Sequence, residues 1–165
     1  GKMQNVELIL ETAALMKDDA DVSFYIVGGG VNEEKLKTFA KEKKLNNVTF
    51  VGMQPPEEVA DLYAAADVNV IPLQKGLIYA ALPSKTADCL IAGKPIITCV
   101  DDESEFAKRC YDNGIFNAGT GSAIRLKDLI TRRKIEDTGA ESYGFDDAFK
   151  KEKNVNQYCV LLEAQ

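Results

Sequence analysis

Short apolar runs alternate with amphipathic stretches along most of the chain. Val22-Ser23-Phe24-Tyr25-Ile26-Val27, Val48-Thr49-Phe50-Val51, Val68-Asn69-Val70-Ile71 and Pro95-Ile96-Ile97-Thr98-Cys99-Val100 are rich in β-branched and aromatic residues. Each has the length and composition of a buried strand, and Ile115-Phe116 is a weaker fifth. Between the runs the period changes. Val6, Ile9, Leu10 and Ala13 fall at i, i+3, i+4, i+7, and Leu36, Phe39 and Ala40 repeat the spacing in a segment otherwise full of Lys and Glu, so each predicts a helix with one apolar face. Pro55-Pro56 followed by Glu57-Glu58 opens a third helix. Its first turn needs no proline N–H, and its acids meet the positive end of the helix dipole. Leu62 and Tyr63 carry it to Asp67. Further helices are expected around Ala123 to Arg132 and, from an asparagine cap, over Asn154 to Leu162. Helices alternating with strands too apolar to have a wet face predict an α/β fold, a Rossmann-like doubly wound parallel sheet covered on both sides.

A length of 165 residues and a hydrophobic content of 45% suit one domain spanning 1–165. Its opening is unusual for such a domain, because Gly1 to Gln4 run into a helix without a strand before them; the expectation is a domain lacking its natural first strand. The formal charge of -6 excludes a surface built for nucleic acid, which recruits a dense stripe of Lys and Arg. A few local donors still suffice for a small anion. Cys89, Cys99, Cys110 and Cys159 form no C-x-x-C pair, and the chain has no histidine, so they read as reduced core thiols with no metal to hold. No apolar run reaches the roughly 20 residues of a membrane span. A cytoplasmic setting is expected, compatible with a peripheral place at the inner face of the membrane for a longer protein.

Ligands of open parallel sheets bind beyond the carboxyl ends of the strands. The turns expected there are Gly28-Gly29-Gly30, Gly52-Met53-Gln54, the long stretch from Pro72 to Leu82, and Asp101-Asp102-Glu103. In the third, Leu82-Pro83-Ser84-Lys85 leads into a helix, so that Ser84, Lys85 and free N–H groups can cradle a diphosphate. Equally, Pro83-Ser84 reads as a simple helix cap. Asp88 lies one turn after Lys85 and can meet ribose hydroxyls. Other motifs carry less. The dinucleotide fingerprint fails at Glu33, and Gly93-Lys94 precedes a proline and a strand instead of opening a P-loop helix. Asp19-Ala20-Asp21 imitates a metal-binding D-x-D at the wrong end of the sheet, and the sequon Asn47-Val48-Thr49 enters a core strand.

The order of features resembles the C-terminal domain of GT-B fold glycosyltransferases of the large retaining family 4. The resemblance rests on Asn5 to Ala13, Phe24-Tyr25-Ile26-Val27-Gly28-Gly29-Gly30, Val48-Thr49-Phe50-Val51-Gly52, Leu62-Tyr63-Ala64-Ala65-Ala66-Asp67-Val68 and Leu90-Ile91-Ala92-Gly93-Lys94-Pro95-Ile96-Ile97. Gly1-Lys2-Met3-Gln4-Asn5 and Leu82-Pro83-Ser84-Lys85 are similar to the subgroup that builds bacterial capsules, O-antigens and exopolysaccharides.

The resemblance implies a nucleotide-diphosphate sugar, UDP- or GDP-linked, as substrate without a further cofactor. It also implies a glycan or lipid-linked acceptor held by a separate N-terminal domain. Of the family's E-x7-E pair, the second acid falls on Asp88, which would hold the ribose, while the first falls on Ala80. The family's basic residue before the first helix is replaced by Gln4, with Lys2 nearby. Donor binding is thus expected from Lys85, Asp88, Ser84, Leu82, Gln4 and Lys2, with the base against Gly52, Met53 and Gln54. The catalytic group is left unassigned, and the domain alone is expected to be inactive. Ala80 keeps open a second class, a catalytically degenerate partner or regulatory domain. A stand-alone flavodoxin-like or receiver domain would need the first strand that is lacking.

Overall fold

The computed structural model describes residues 3–80 and 82–136; Lys2, Cys159 and the helix expected over 154–162 lie outside the described residues. Six helices and five strands alternate: α1 Val6–Leu15, β1 Phe24–Val27, α2 Glu33–Glu42, β2 Val48–Val51, α3 Pro56–Ala65, β3 Asn69–Pro72, α4 Lys85–Ile91, β4 Ile96–Cys99, α5 Glu105–Asp112, β5 Phe116–Asn117 and α6 Ala123–Glu136, with a 3-10 turn at Leu77–Tyr79 before α4. Every expected strand forms: β2 with the expected bounds, β1 and β4 trimmed by one or two residues at an end, and β3 and β5 shifted one residue toward the C-terminus. Helix α5 was not foreshadowed by the apolar pattern. Ser104 starts it, accepting the Ala107 N–H at 3.1 Å, with Glu105 in the first turn and Arg109 in the last.

All pairing is parallel, but the strands form two sheets, β1-β2 and β3-β4-β5. Phe24 pairs with Val48 and Val27 with Val51 in the first; Asn69 pairs with Ile96 and Pro72 with Cys99 in the second. The sequence predicted one sheet. The described chain has no hydrogen-bonded strand joining the halves, so β1 and β3 each keep a free edge.

One core nevertheless spans both sheets. Leu8, Ile9, Leu10 and Ala13 of α1 pack with Phe24, Leu36 and Ala40 on one side and with Ile97, Cys99, Ala118 and Leu126 on the other. Helix α1 is in contact with α2, α6 and β3, so it lies over the junction of the two sheets. The opposite face of β3-β4-β5 holds a second cluster of Ile71, Ile96, Val100, Ile115, Cys89, Phe106 and Cys110, supplied by α4 and α5 with Tyr63 of α3 alongside. Consecutive Ile96 and Ile97 enter opposite clusters, the period-two consequence of a strand covered on both faces. Both are fully buried, which stabilises the fold by about 1.5–3 kcal/mol per side chain. The same face of β1 is bare by contrast, with Tyr25 at 68% and Val27 at 39% exposure.

The discounted motifs take structural places. Asp19 accepts the Asp21 N–H in a turn ahead of β1. Asn47 donates to the Ala13 carbonyl at 3.0 Å, tying the start of β2 to the end of α1.

Candidate functional site

With all strands parallel, their carboxyl ends share one rim. Chain winding moves outward from β1 to β2 in one sheet and from β3 through β4 to β5 in the other, so the direction reverses between β1 and β3. That reversal is where open α/β sheets form their crevice. Three segments border it: the glycine turn after β1, the long loop after β3, and the entry to α1.

The entry to α1 is pinned to the long loop by the Gln74 N–H, which donates to the Met3 carbonyl at 3.0 Å. It is fixed at its other side by Asn5, whose side chain donates to the Thr120 carbonyl at 2.8 Å and accepts the Leu8 N–H. Gln4 sits between these anchors, half-buried. Across the crevice Gly28 has φ +111°, which a residue with a Cβ rarely adopts, and its N–H extends the ladder to the Val51 carbonyl. Met53 lies over the same turn: a Cβ on Gly29 would meet the Met53 Cγ at 3.6 Å. Met53 is 77% exposed, and the Gln54 side chain folds back onto the Gly52 carbonyl at 3.2 Å. Gly52, Met53 and Gln54 therefore form one exposed ledge beside the glycine turn.

Ser84 has helical backbone angles and its hydroxyl makes no cap bond, so the simple capping role does not hold. The turn is closed by the backbone instead, Thr86 N–H to the Pro83 carbonyl and Ala87 N–H to the Ser84 carbonyl. The exposed Ser84 hydroxyl is not consumed by its helix. Lys85 is half-buried, and burial pushes its ammonium below the usual lysine range, opposed in part by Cys89. Among the described residues it has no carboxylate within ion-pair distance. Asp88 is exposed one turn further on and does not pair with it; the two flank Cys89, acting on that thiol in opposite directions. Burial first, and then the Asp88 charge, push the Cys89 thiol up to about 12; burial, then Cys89 and Asp88, push the Tyr63 phenol up to about 12. Leu82 is 56% exposed at the loop's end, and the exposed Ala80 offers only a methyl group where the resemblance called for an acid.

Such a site can hold an anion through an uncompensated lysine, a hydroxyl and backbone donors. It presents Asp88 but no acid at position 80. Sequence reasoning placed Asp101 in the turn after β4 but gave it no role; its carboxylate accepts the Gly76 N–H at 2.7 Å. Sequence reasoning missed Asn117, which joins β4 and β5 through bonds to Val100 and Thr98 and donates to Asp102 at 2.8 Å. Asp102 in turn pairs with Arg125 at 2.8 Å. Only the position of acids after an expected strand signalled Asp101. Nothing in the local pattern signalled Asn117. A separate cleft of about 860 Å³ opens between α5, β5 and α6, at the outer edge of β5 and away from the reversal.

Comparison with known proteins gives this geometry its class. The glycosyl transferases group 1 family matches residues 1–132, and the chain belongs to that family. It is 28% identical over 162 residues to the probable glycosyltransferase WbjE of Pseudomonas aeruginosa, covering 98% of this chain and 40% of that protein. It is 26% identical over 110 residues to the putative colanic acid biosynthesis glycosyl transferase WcaI of Escherichia coli K12, covering 67% of this chain and 27% of WcaI. The chain thus spans well under half the length of either relative. S. aureus TarM, solved as a mutant with fondaparinux, alpha-GlcNAc-glycerol and UDP, superposes with a TM-score of 0.72 at 19% identity, over 96% of this chain and 33% of TarM. The pneumococcal O-GlcNAc transferase GtfA, solved with UDP and GlcNAc, superposes with a TM-score of 0.65 at 15% identity, over 99% and 34%. The fold is that of the GT-B glycosyltransferases, and the Rossmann-like expectation holds.

Proposed function

We propose that this chain is the donor-binding part of a retaining glycosyltransferase that moves a sugar from a nucleotide-diphosphate sugar to a glycan or lipid-linked acceptor. The observation that carries this reading is Lys85: a half-buried cation without a carboxylate partner, next to a Ser84 hydroxyl its helix does not use, at the rim where the winding reverses. Burying a charge unpaired is costly, and a diphosphate would offset that cost. As the donor bond breaks, negative charge grows on the departing diphosphate. Lys85, Ser84 and fixed backbone dipoles would stabilise it electrostatically without a bound metal. Asp88 would accept from the ribose hydroxyls, and the Gly52–Gln54 ledge would lie against the base, uridine or guanosine. Gln4 would stand where the family places a basic residue, with Lys2 two residues before it in the sequence.

The acceptor would be held by a further domain, with the reaction in the cleft between the two and the isolated chain inactive. Relatives more than twice as long support this. A further parallel strand between β1 and β3 would complete the sheet. It is supported by the two free edges and by the Met3 carbonyl already paired to Gln74. Ala80 favours a second reading, a degenerate partner domain that keeps the fold without transfer.

Titration of the protein with UDP and GDP, in EDTA and in Mg²⁺, separates the two readings. Metal-independent binding of one nucleotide, weakened at least about tenfold by Lys85→Ala, is expected from the loss of a charge-assisted contact. Asp88→Ala is expected to weaken it as well. Binding of neither nucleotide would leave the degenerate reading standing.

A further inference from the structure

We infer that Asp101 is a positioning residue that latches the loop after β3 into the shape in which it meets the donor; this rests on the donor-binding reading above. The loop from Leu73 to Ser84 is long, and its tip has little packing of its own. Lys75, Gly76, Tyr79 and Ala80 are exposed, and Ile78 alone of the 3-10 turn is buried. Gly76 opens that turn at φ +82°, in the left-handed region that glycine adopts without penalty. A Cβ there would meet nothing within 4 Å, so space does not dictate the conformation.

The hydrogen bond across the rim does. Asp101 Oδ2 accepts the Gly76 N–H at 2.7 Å, between residues 25 apart in sequence, and an ionised acceptor makes this stronger than a neutral bond. The backbone that carries this carboxylate is itself anchored. The Asp101 carbonyl accepts from the Ser104 hydroxyl at 2.7 Å and from the Ser104 N–H at 3.1 Å, and Ser104 is buried at the start of α5. One residue before Asp101 the backbone is clamped by Asn117 on both its N–H and its carbonyl. The hydrogen-bonded end of β4 thus holds a carboxylate against the loop. With Gln74 bonded to Met3 and Gly76 to Asp101, the loop is fixed from both neighbouring segments before it turns into Pro83, Ser84 and Lys85. Ordering the loop in the free protein reduces the entropy lost when a ligand binds.

Asp101→Ala and Asp101→Asn in the full-length protein test the latch. Amide exchange by mass spectrometry over residues 74–80 is expected to speed up in the alanine variant and to stay near wild type in the asparagine variant, which retains an acceptor. Affinity for whichever of UDP or GDP the wild type binds should fall about tenfold with alanine and less than about threefold with asparagine. The melting temperature should move by only a few degrees in either, which separates loop order from global stability. Alanine binding equal to wild type, or unchanged exchange over 74–80, would overturn the latch while leaving the donor reading intact. Failure of the wild type to bind either nucleotide would overturn the donor reading, and with it the role of the latch in binding.

Discussion

At the scale of single residues, burial and charge separate what the site uses from what the core uses. Cys89, Cys99 and Cys110 are all buried, and burial, their main perturbation, holds each thiol up to about 12. They pack as small hydrophobes, as their scattered spacing implied. A consequence follows for alkaline pH. The folded chain keeps these protons where an unfolded thiol, near 9.0, has released its own. Stability is therefore full below about pH 9 and is lost as the pH climbs toward 12. Tyr63 adds the same sign from 10.0 upward, while Lys85, shifted down by burial, works the other way. Four groups against one predict a urea midpoint level between pH 7 and 8.5 that falls by pH 10.5. Alkylation of these three thiols at pH 8, read site by site, should be negligible until denaturant is added. A midpoint constant through pH 10.5 would show that the thiols are not held as this core requires.

Helix starts show, at the scale of elements, why one part of the chain was legible and another was not. Ser84 and Ser104 both precede helices. From sequence Ser84 had the stronger context, with a proline before it and a lysine after it, yet Ser104 caps and Ser84 does not. The difference lies in the backbone: Ser104 is extended at φ -71°, ψ 147°, whereas Ser84 is already helical at φ -55°, ψ -33°, and a capping hydroxyl needs the extended form. Ser104→Ala should destabilise the protein by about 1 kcal/mol, while Ser84→Ala should leave the urea midpoint within error and lower nucleotide affinity. Equal destabilisation by both would remove the argument that the Ser84 hydroxyl is kept for a ligand. Apolar period announced α1 and α2. Helix α5 spans 8 residues and buries Phe106, Ala107 and Cys110 on one face, but the acids Asp101-Asp102-Glu103 ahead of it point to a turn, and the short face behind them is easily passed over. Sites behaved similarly. The turns at the strand ends could be counted from the chain, but the reach of Asp101 to Gly76 depends on β3 and β4 being neighbours.

For the whole molecule the decisive feature is the sheet in two pieces. Strand alternation correctly gave the parallel α/β class and both covering layers over β3-β4-β5. Continuity was beyond it, because strand order is a property of pairing and the apolar runs do not encode which neighbours they choose. Among the described residues β1 and β3 each keep a free edge, a state native proteins rarely leave uncovered. Helix α1 roofs the junction, with Leu8 and Leu10 buried to 2% and 0%. If a parallel strand lies there in the longer protein, amides on the inner edges of β1 and β3 should be slow to exchange. In the chain 1–165 alone they should exchange orders of magnitude faster, since opening an unpaired edge costs little. The same comparison bears on the proposed donor site, whose glycine turn and β3 loop hang from β1 and β3. A strand between them should raise nucleotide affinity in step with the protection of β1 and β3. Protection that is equal in the two proteins would mean the halves are joined by side-chain packing alone, and the crevice would then owe its shape to α1.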